Sequence, residues 1–122
     1  MRILLLDPDE YYHDQFSEAL ASIGPVVASH HAHNLLELLA EESPDILIME
    51  LLLGDNSGYE VLDKLKANPR YQHLPVVIFS KVGNLADVEE ALNRGVNAYF
   101  VKGQNPINDV KQLLLNYTKN AQ

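Results

Sequence analysis

Asp7 and Asp9 stand on either side of Pro8, directly after the apolar run Ile3–Leu6. Two carboxylates at this spacing can ligate a divalent cation. With Pro8 as the first residue of a helix, they can equally complement its positive end. Glu50 follows the apolar run Ile46–Met49, Ser80 and Lys81 follow Val76–Phe79, and Lys102 and Gly103 follow Ala98–Val101. Acids, a hydroxyl and ammonium groups therefore all stand where short apolar runs end. His30, His31 and His33 offer imidazoles close in sequence, but no fourth ligand is evident, and they read as an exposed loop. Tyr11 and Tyr12 read as helix-surface packing. The chain has no cysteine, which removes thiol catalysis, Cys-ligated zinc and disulfide scaffolds.

The elements that must position these groups are legible from periodicity. Five short apolar runs with strand character fall at residues 3–6, 25–29, 46–49, 76–79 and 98–101. Between them the spacing is helical. Phe16, Ala19, Leu20 and Ile23 mark a first helix, and Leu35, Leu38 and Leu39 a second. Val61, Leu62 and Leu65 mark a third, ended by Asn68-Pro69. Leu85, Val88 and Leu92 mark a fourth, stopped by Gly95. Ile107, Val110, Leu113, Leu114 and Tyr117 mark a fifth that runs to the C-terminus. Strands alternating with helices call for a parallel sheet covered on both faces. In such an open sheet, ligands sit beyond the carboxyl ends of the strands. Asp7, Asp9, Glu50, Ser80, Lys81 and Lys102 all stand at those ends.

Charge and length narrow the function classes. With 9 Lys+Arg against 17 Asp+Glu the net charge is −8 in 122 residues. Nucleic acid, which needs a basic footprint, is not an expected partner. No apolar run approaches the roughly 18 residues of a membrane span, so no membrane is expected either. The opening MRILLLDPDE runs from four apolar residues straight into acids, unlike a secretory signal. A single cytoplasmic domain over residues 1–122 is the expectation, carrying no output domain and so either acting on a partner in trans or excised from a longer protein.

This constellation resembles the receiver domain of two-component response regulators, over the whole chain. The resemblance implies an α/β, flavodoxin-like (βα)5 three-layer sandwich with a five-stranded parallel sheet in the order 2-1-3-4-5. In that family an acid pair after the first strand binds Mg²⁺, and an Asp ending the third strand takes the phosphoryl group. A Ser or Thr ending the fourth strand and a Lys ending the fifth bind the phosphoryl oxygens. An aromatic residue on the fifth strand rotates with the hydroxyl. Here Asp7 falls on the first acid, Glu50 on the phosphoacceptor, Gly58 on the glycine after the acceptor loop, Ser80 on the hydroxyl, Lys102 on the lysine and Tyr99 on the switch aromatic.

The departures carry the functional expectation. Pro8 replaces the second acid, Glu50 replaces Asp, Lys81 stands where a small residue is usual, and Gly103 replaces a proline that follows the lysine in a cis bond. A cis bond before a non-proline costs about 2.5–4 kcal/mol, so Lys102–Gly103 is expected to be trans. Mg²⁺ demands near-ideal octahedral geometry at about 2.0–2.1 Å. With one carboxylate lost and another lengthened, no metal or other cofactor is expected, Asp7, Asp9 and Glu50 being the residual candidates. Glu50 is expected to pair with Lys102 or Lys81. It reads either as a partial mimic of the phosphorylated state or as an inert ion pair filling the old pocket. Lys102 is expected to be held by Glu50 or Asp7, in place of the metal and the phosphoryl group.

The resulting expectation is an atypical receiver that is no enzyme and acts by protein–protein contact without phosphorylation. Its partner would be a histidine kinase or downstream effector, met through the fourth helix, fifth strand and fifth helix (Leu85, Glu89, Tyr99, Asn108 and Lys111), with a homodimer as a further possibility. One alternative is a phosphorelay receiver still accepting phosphate at Glu50 with Mg²⁺. A remote one is a phosphatase resembling the haloacid dehalogenases, because Asp7-Pro8-Asp9 is a D-x-D. That chemistry needs another acid after the lysine, and Asp109 is the only one there.

Overall fold

Four consecutive apolar residues, Ile3–Leu6, form strand β1, and every one of them is buried. A strand covered on both faces needs no polar residue, and β3 (Ile46–Met49) and the first four residues of β4 (Val76–Ser80) follow the same rule. The edge strands β2 (Val26–Ser29) and β5 (Ala98–Val101) are half-buried throughout. In the computed structural model, which describes residues 1–120, the strands pair in parallel in the order β2-β1-β3-β4-β5. Five helices connect and follow them: α1 (Glu10–Ala19), α2 (Leu35–Glu42), α3 (Gly58–Lys66), α4 (Leu85–Asn93) and α5 (Ile107–Asn120). The last two residues of the C-terminal helix expected from sequence lie outside the described residues.

Alternation along the strands divides the interior into two cores. Leu4, Leu6, Leu47, Met49, Val76 and Ile78 meet Leu35 and Leu39 of α2, Val61, Leu62 and Leu65 of α3, and Ala91 of α4. Ile3, Leu5, Ile46, Ile48, Val77 and Phe79 point the other way, onto Phe16 and Leu20 at α1 and Val110 and Leu114 of α5. The register then places the polar groups. Leu6 pairs with Met49, so the next residues, Asp7 and Glu50, emerge side by side. Ser80 pairs with Val101, which brings Lys102 to the same edge.

One helix start differs from the sequence expectation. Pro8 is not the first residue of α1. Asp9 is the N-cap, its Oδ1 accepting from the Tyr11 N–H at 3.0 Å, and the helix begins at Glu10. A carboxylate at that position satisfies an orphan N–H of the first turn, which a proline cannot do. In α4 the stripe Leu85, Val88 and Leu92 does not face the core. Leu85 is 71% and Leu92 46% exposed, and Ala91 is the buried residue of that helix.

So small an apolar anchor leaves α4 to be held by polar contacts with α3. The Tyr59 hydroxyl donates to Asp87 Oδ1 at 2.5 Å. Arg94, just past α4, donates from Nε to Asp63 Oδ1 at 3.1 Å and lies 4.7 Å over the Tyr59 ring. Asn84 caps α4 by accepting from the Asp87 N–H at 2.9 Å.

Glycine is required where α3 starts. The Gly58 N–H donates to the Leu51 carbonyl at 3.0 Å, and a Cβ there would stand 2.7 Å from Leu51 Cα. This contact closes the loop that follows Glu50. Gly58→Ala is expected to cost about 1–3 kcal/mol, as overpacking against backbone does, read as a lower urea midpoint at unchanged m.

Candidate functional site

The Asp7 side chain turns inward at the end of β1, and both of its oxygens are engaged. Oδ1 accepts from the Asp9 N–H at 2.8 Å, and Oδ2 accepts from Lys102 Nζ at 2.7 Å. His13 Nε2 donates to the Asp7 carbonyl at 2.7 Å, fixing the turn from the α1 side. The Asp9 carboxylate caps α1, and Pro8 is exposed.

Glu50 ends β3 and folds back over its own loop. Its Oε2 accepts from the Leu51 N–H at 2.6 Å and the Leu52 N–H at 3.2 Å. Its Oε1 accepts from the Lys81 N–H and from Lys102 Nζ, each at 3.1 Å. Burial pushes the Glu50 carboxyl up. The Ser80 hydroxyl, the Lys81 N–H, the Lys102 ammonium and the Leu52 N–H outweigh that effect, and the group ends below its ordinary range. Glu50 is thus a carboxylate at neutral pH.

The Lys102 ammonium bridges the two acids inside the protein. The side chains of Lys102, Asp7 and Glu50 are 4%, 2% and 2% exposed. One cation faces two anions, and the backbone N–H groups of Asp9, Leu51, Leu52 and Lys81 offset the remaining negative charge. The Tyr12 ring lies over Nζ at 4.1 Å from its centroid. The Lys102–Gly103 bond is trans, and Gly103 takes a φ of +86°, a left-handed conformation suited to glycine. The Tyr99 hydroxyl donates to the Val82 carbonyl, and its ring packs against the α2–α3–α4 core, while Ser80 Oγ accepts from the Val82 N–H at 3.1 Å.

The structure therefore brings together Asp7, Glu50, Ser80 and Lys102, with Tyr99 next to Ser80 through Val82. Lys102 pairs with both acids named for it. Lys81 departs from the sequence expectation: it serves Glu50 through its backbone N–H, and its side chain is exposed. Asp9 is occupied as a helix cap. His31 and His33 are exposed, as expected of that loop, and His33 Nδ1 lies 3.7 Å from Asp55. His30 is half-buried, and its ring centroid lies 4.2 Å from that of His13, the two rings tilted by 47°. Two residues that matter were missed from sequence. The sequence places Tyr12 on the helix surface and does not single out His13. The available signal was the four-residue step from Tyr12 to the buried Phe16, which puts Tyr12 on the inner face of α1.

Mg²⁺, which the fold implies for such a corner, does not fit this donor set as arranged. Every side-chain oxygen of Asp7 and Glu50 already accepts a hydrogen bond, and an ammonium stands between them. The cleft lined by Asp7, Asp9, Glu50, Lys81 and Lys102 has a volume of about 50 Å³, room for a few water molecules. Among the described residues no cluster of three or more His, Asp or Glu side chains is arranged to hold a metal.

Two outcomes follow from this geometry. Lys102→Met leaves two buried carboxylates unpaired and should cost about 3–5 kcal/mol, while adding Glu50→Gln should recover part of the loss. Equal stability of the single and double variants in urea would show the two groups to be uncoupled. A depressed carboxyl pKa also has a defined pH signature. The Glu50 contribution is complete above its ordinary value of 4.5 and is lost as pH falls below that toward the folded-state value. The urea midpoint of the unaltered chain should therefore fall more steeply below pH 4.5 than that of Glu50→Gln.

Comparison with known proteins agrees with the geometry. The chain is 28% identical over 109 residues to a "Chemotaxis protein CheY homolog" of Campylobacter jejuni, covering 87% of this chain and 84% of that one. It is also 28% identical over 100 residues to a "Probable cyclic di-GMP phosphodiesterase" of Vibrio cholerae, but spans only 23% of that protein's length. Among solved structures it superposes with a TM-score of 0.78 on the phosphorylated cyanobacterial phytochrome response regulator RcpA, at 26% identity over 93% of this chain and 87% of that one. The BeF3-activated receiver domain of Klebsiella pneumoniae RstA gives a TM-score of 0.83 at 19% identity, covering 94% of this chain and 97% of that one, a likeness of fold. The model of the response regulator receiver domain matches residues 3–114, and the chain belongs to that family.

Proposed function

We propose that this receiver is a signalling module that works by protein–protein contact without phosphoryl transfer at Glu50, rather than an enzyme. The single observation carrying this reading is the state of Glu50. Both of its oxygens are satisfied by protein donors, among them the Lys102 ammonium. Phosphoryl transfer depends almost wholly on positioning and charge neutralisation. A nucleophile already hydrogen-bonded on both oxygens, with no second acid at Pro8 to help hold Mg²⁺, is poorly placed for it. In this reading Glu50 stands at the phosphoacceptor position, Ser80 and Lys102 at the phosphoryl-contact positions, Asp7 and Asp9 form the acidic corner, Tyr99 marks the switch face, and no metal or cofactor is needed.

The partner is a signalling protein, a histidine kinase or a downstream effector, met in the cytoplasm through α4, β5 and α5. What supports this face is its unpartnered apolar surface: Leu85 and Leu92 on α4 and Leu115 on α5 are exposed. A second copy of the chain is the alternative occupant. No helix among the described residues is long and apolar enough to cross a membrane. The haloacid-dehalogenase alternative finds no support in Asp109, which lies on α5 and accepts from Asn105 Nδ2 at 3.2 Å, outside the corner.

Incubation with acetyl phosphate and Mg²⁺, followed by intact mass measurement, tests the reading. The expected spectrum shows unmodified protein, and millimolar Mg²⁺ should leave the melting temperature unchanged. A phosphoryl adduct that disappears in Glu50→Gln would establish the phosphorelay alternative instead.

A further inference from the structure

An ammonium has three N–H groups, and Lys102 directs two contacts at Asp7 and Glu50. The remaining side of Nζ faces the Tyr12 ring, whose centroid is 4.1 Å away. The face of an aromatic ring carries partial negative charge, so it can complete the surroundings of a largely buried cation. The ring is itself fixed by edge contacts. Its centroid lies 5.5 Å from that of the buried Phe79 at an interplanar angle of 70°, and 5.1 Å from that of Tyr11 at 67°.

Tyr12 also borders a separate space. Together with Tyr11, Gln15, Phe79, Gln104 and Pro106 it lines an open groove of about 470 Å³ between α1 and the segment joining β5 to α5. Lys102 does not line that groove; it lines the small cleft with Asp7 and Glu50. The ring therefore stands between solvent in the groove and the buried ions.

We propose that Tyr12 is a positioning residue of this corner, whose ring seats the Lys102 ammonium on Asp7 and Glu50 and walls it off from the groove. The proposal rests on the reading that the corner is filled by its own ions. It gives α1 a defined part in that reading, since a reagent entering from the groove meets the ring before it meets the lysine.

The accessibility of Lys102 to an amine-acylating reagent, followed by peptide mass spectrometry, tests this. Tyr12→Leu keeps apolar bulk and removes the aromatic face, whereas Tyr12→Phe keeps the face and removes the hydroxyl. Lys102 is expected to react about tenfold faster in Tyr12→Leu than in the unaltered chain, the loss of a desolvated cation–π contact, and at an unchanged rate in Tyr12→Phe. The exposed Lys64 and Lys119 serve as internal references and should react alike in all three proteins. Unchanged Lys102 reactivity in Tyr12→Leu would overturn the proposal, as would equal acceleration in Tyr12→Phe or a parallel rise at the reference lysines. Its failure is distinguishable from that of the function proposed above, because the acylation order needs no phosphodonor and the phosphodonor test needs no change at Tyr12.

Discussion

The interaction on which the corner depends is a single ammonium held between two buried carboxylates. Lys102 Nζ lies 2.7 Å from Asp7 and 3.1 Å from Glu50, with all three side chains nearly closed to water. Charges in such a place are costly unless each is paired and its remaining hydrogen-bonding capacity is filled. Here the filling comes from backbone N–H groups in three different loops, after β1, β3 and β4. The ion cluster therefore ties together the segments that leave the carboxyl edge of the sheet. Any rearrangement of one loop would strand a charge belonging to another.

That constraint extends toward the face read as the partner surface. The Lys81 N–H holds Glu50, the Val82 N–H holds Ser80 Oγ, and the Val82 carbonyl holds the Tyr99 hydroxyl. Just beyond, Asn84 caps α4, and Asp87 accepts from Tyr59 on α3. Burial raises the Tyr59 phenol pKa, and the Asp87 hydrogen bond and charge raise it further, so the hydroxyl remains a donor. Because α4 buries only Ala91, these polar links replace the apolar packing that seats the other helices. The same arrangement leaves Leu85 and Leu92 exposed.

Much of this was legible in the chain itself. The apolar runs gave all five strands to within a residue at either end. Of the groups following them, Asp7, Glu50, Ser80 and Lys102 meet at the corner, because a parallel sheet delivers every strand's carboxyl end to one edge. The pairing of Lys102 with an acid followed from its place at the same sheet edge as Asp7 and Glu50. The trans bond before Gly103 followed from the cost of the alternative.

What the sequence by itself determined, then, is the alternation of elements and the chemical inventory at the sheet edge, since both are properties of local residue order. The tertiary structure decided which atoms meet. Pairing of Leu6 with Met49 sets Asp7 beside Glu50, and the turn of the loop after β4 offers Glu50 the Lys81 N–H and leaves the ammonium outside. The packing of α1 brings Tyr12 over Lys102, ninety residues away in the chain. The stripe Leu85, Val88 and Leu92 marks α4 as a helix, yet Ala91 is the residue of that helix that meets the core. Periodicity names a helix face, but the closest approach to the sheet, allowed by the small Ala91 side chain and the polar clasp to α3, chooses which face turns in.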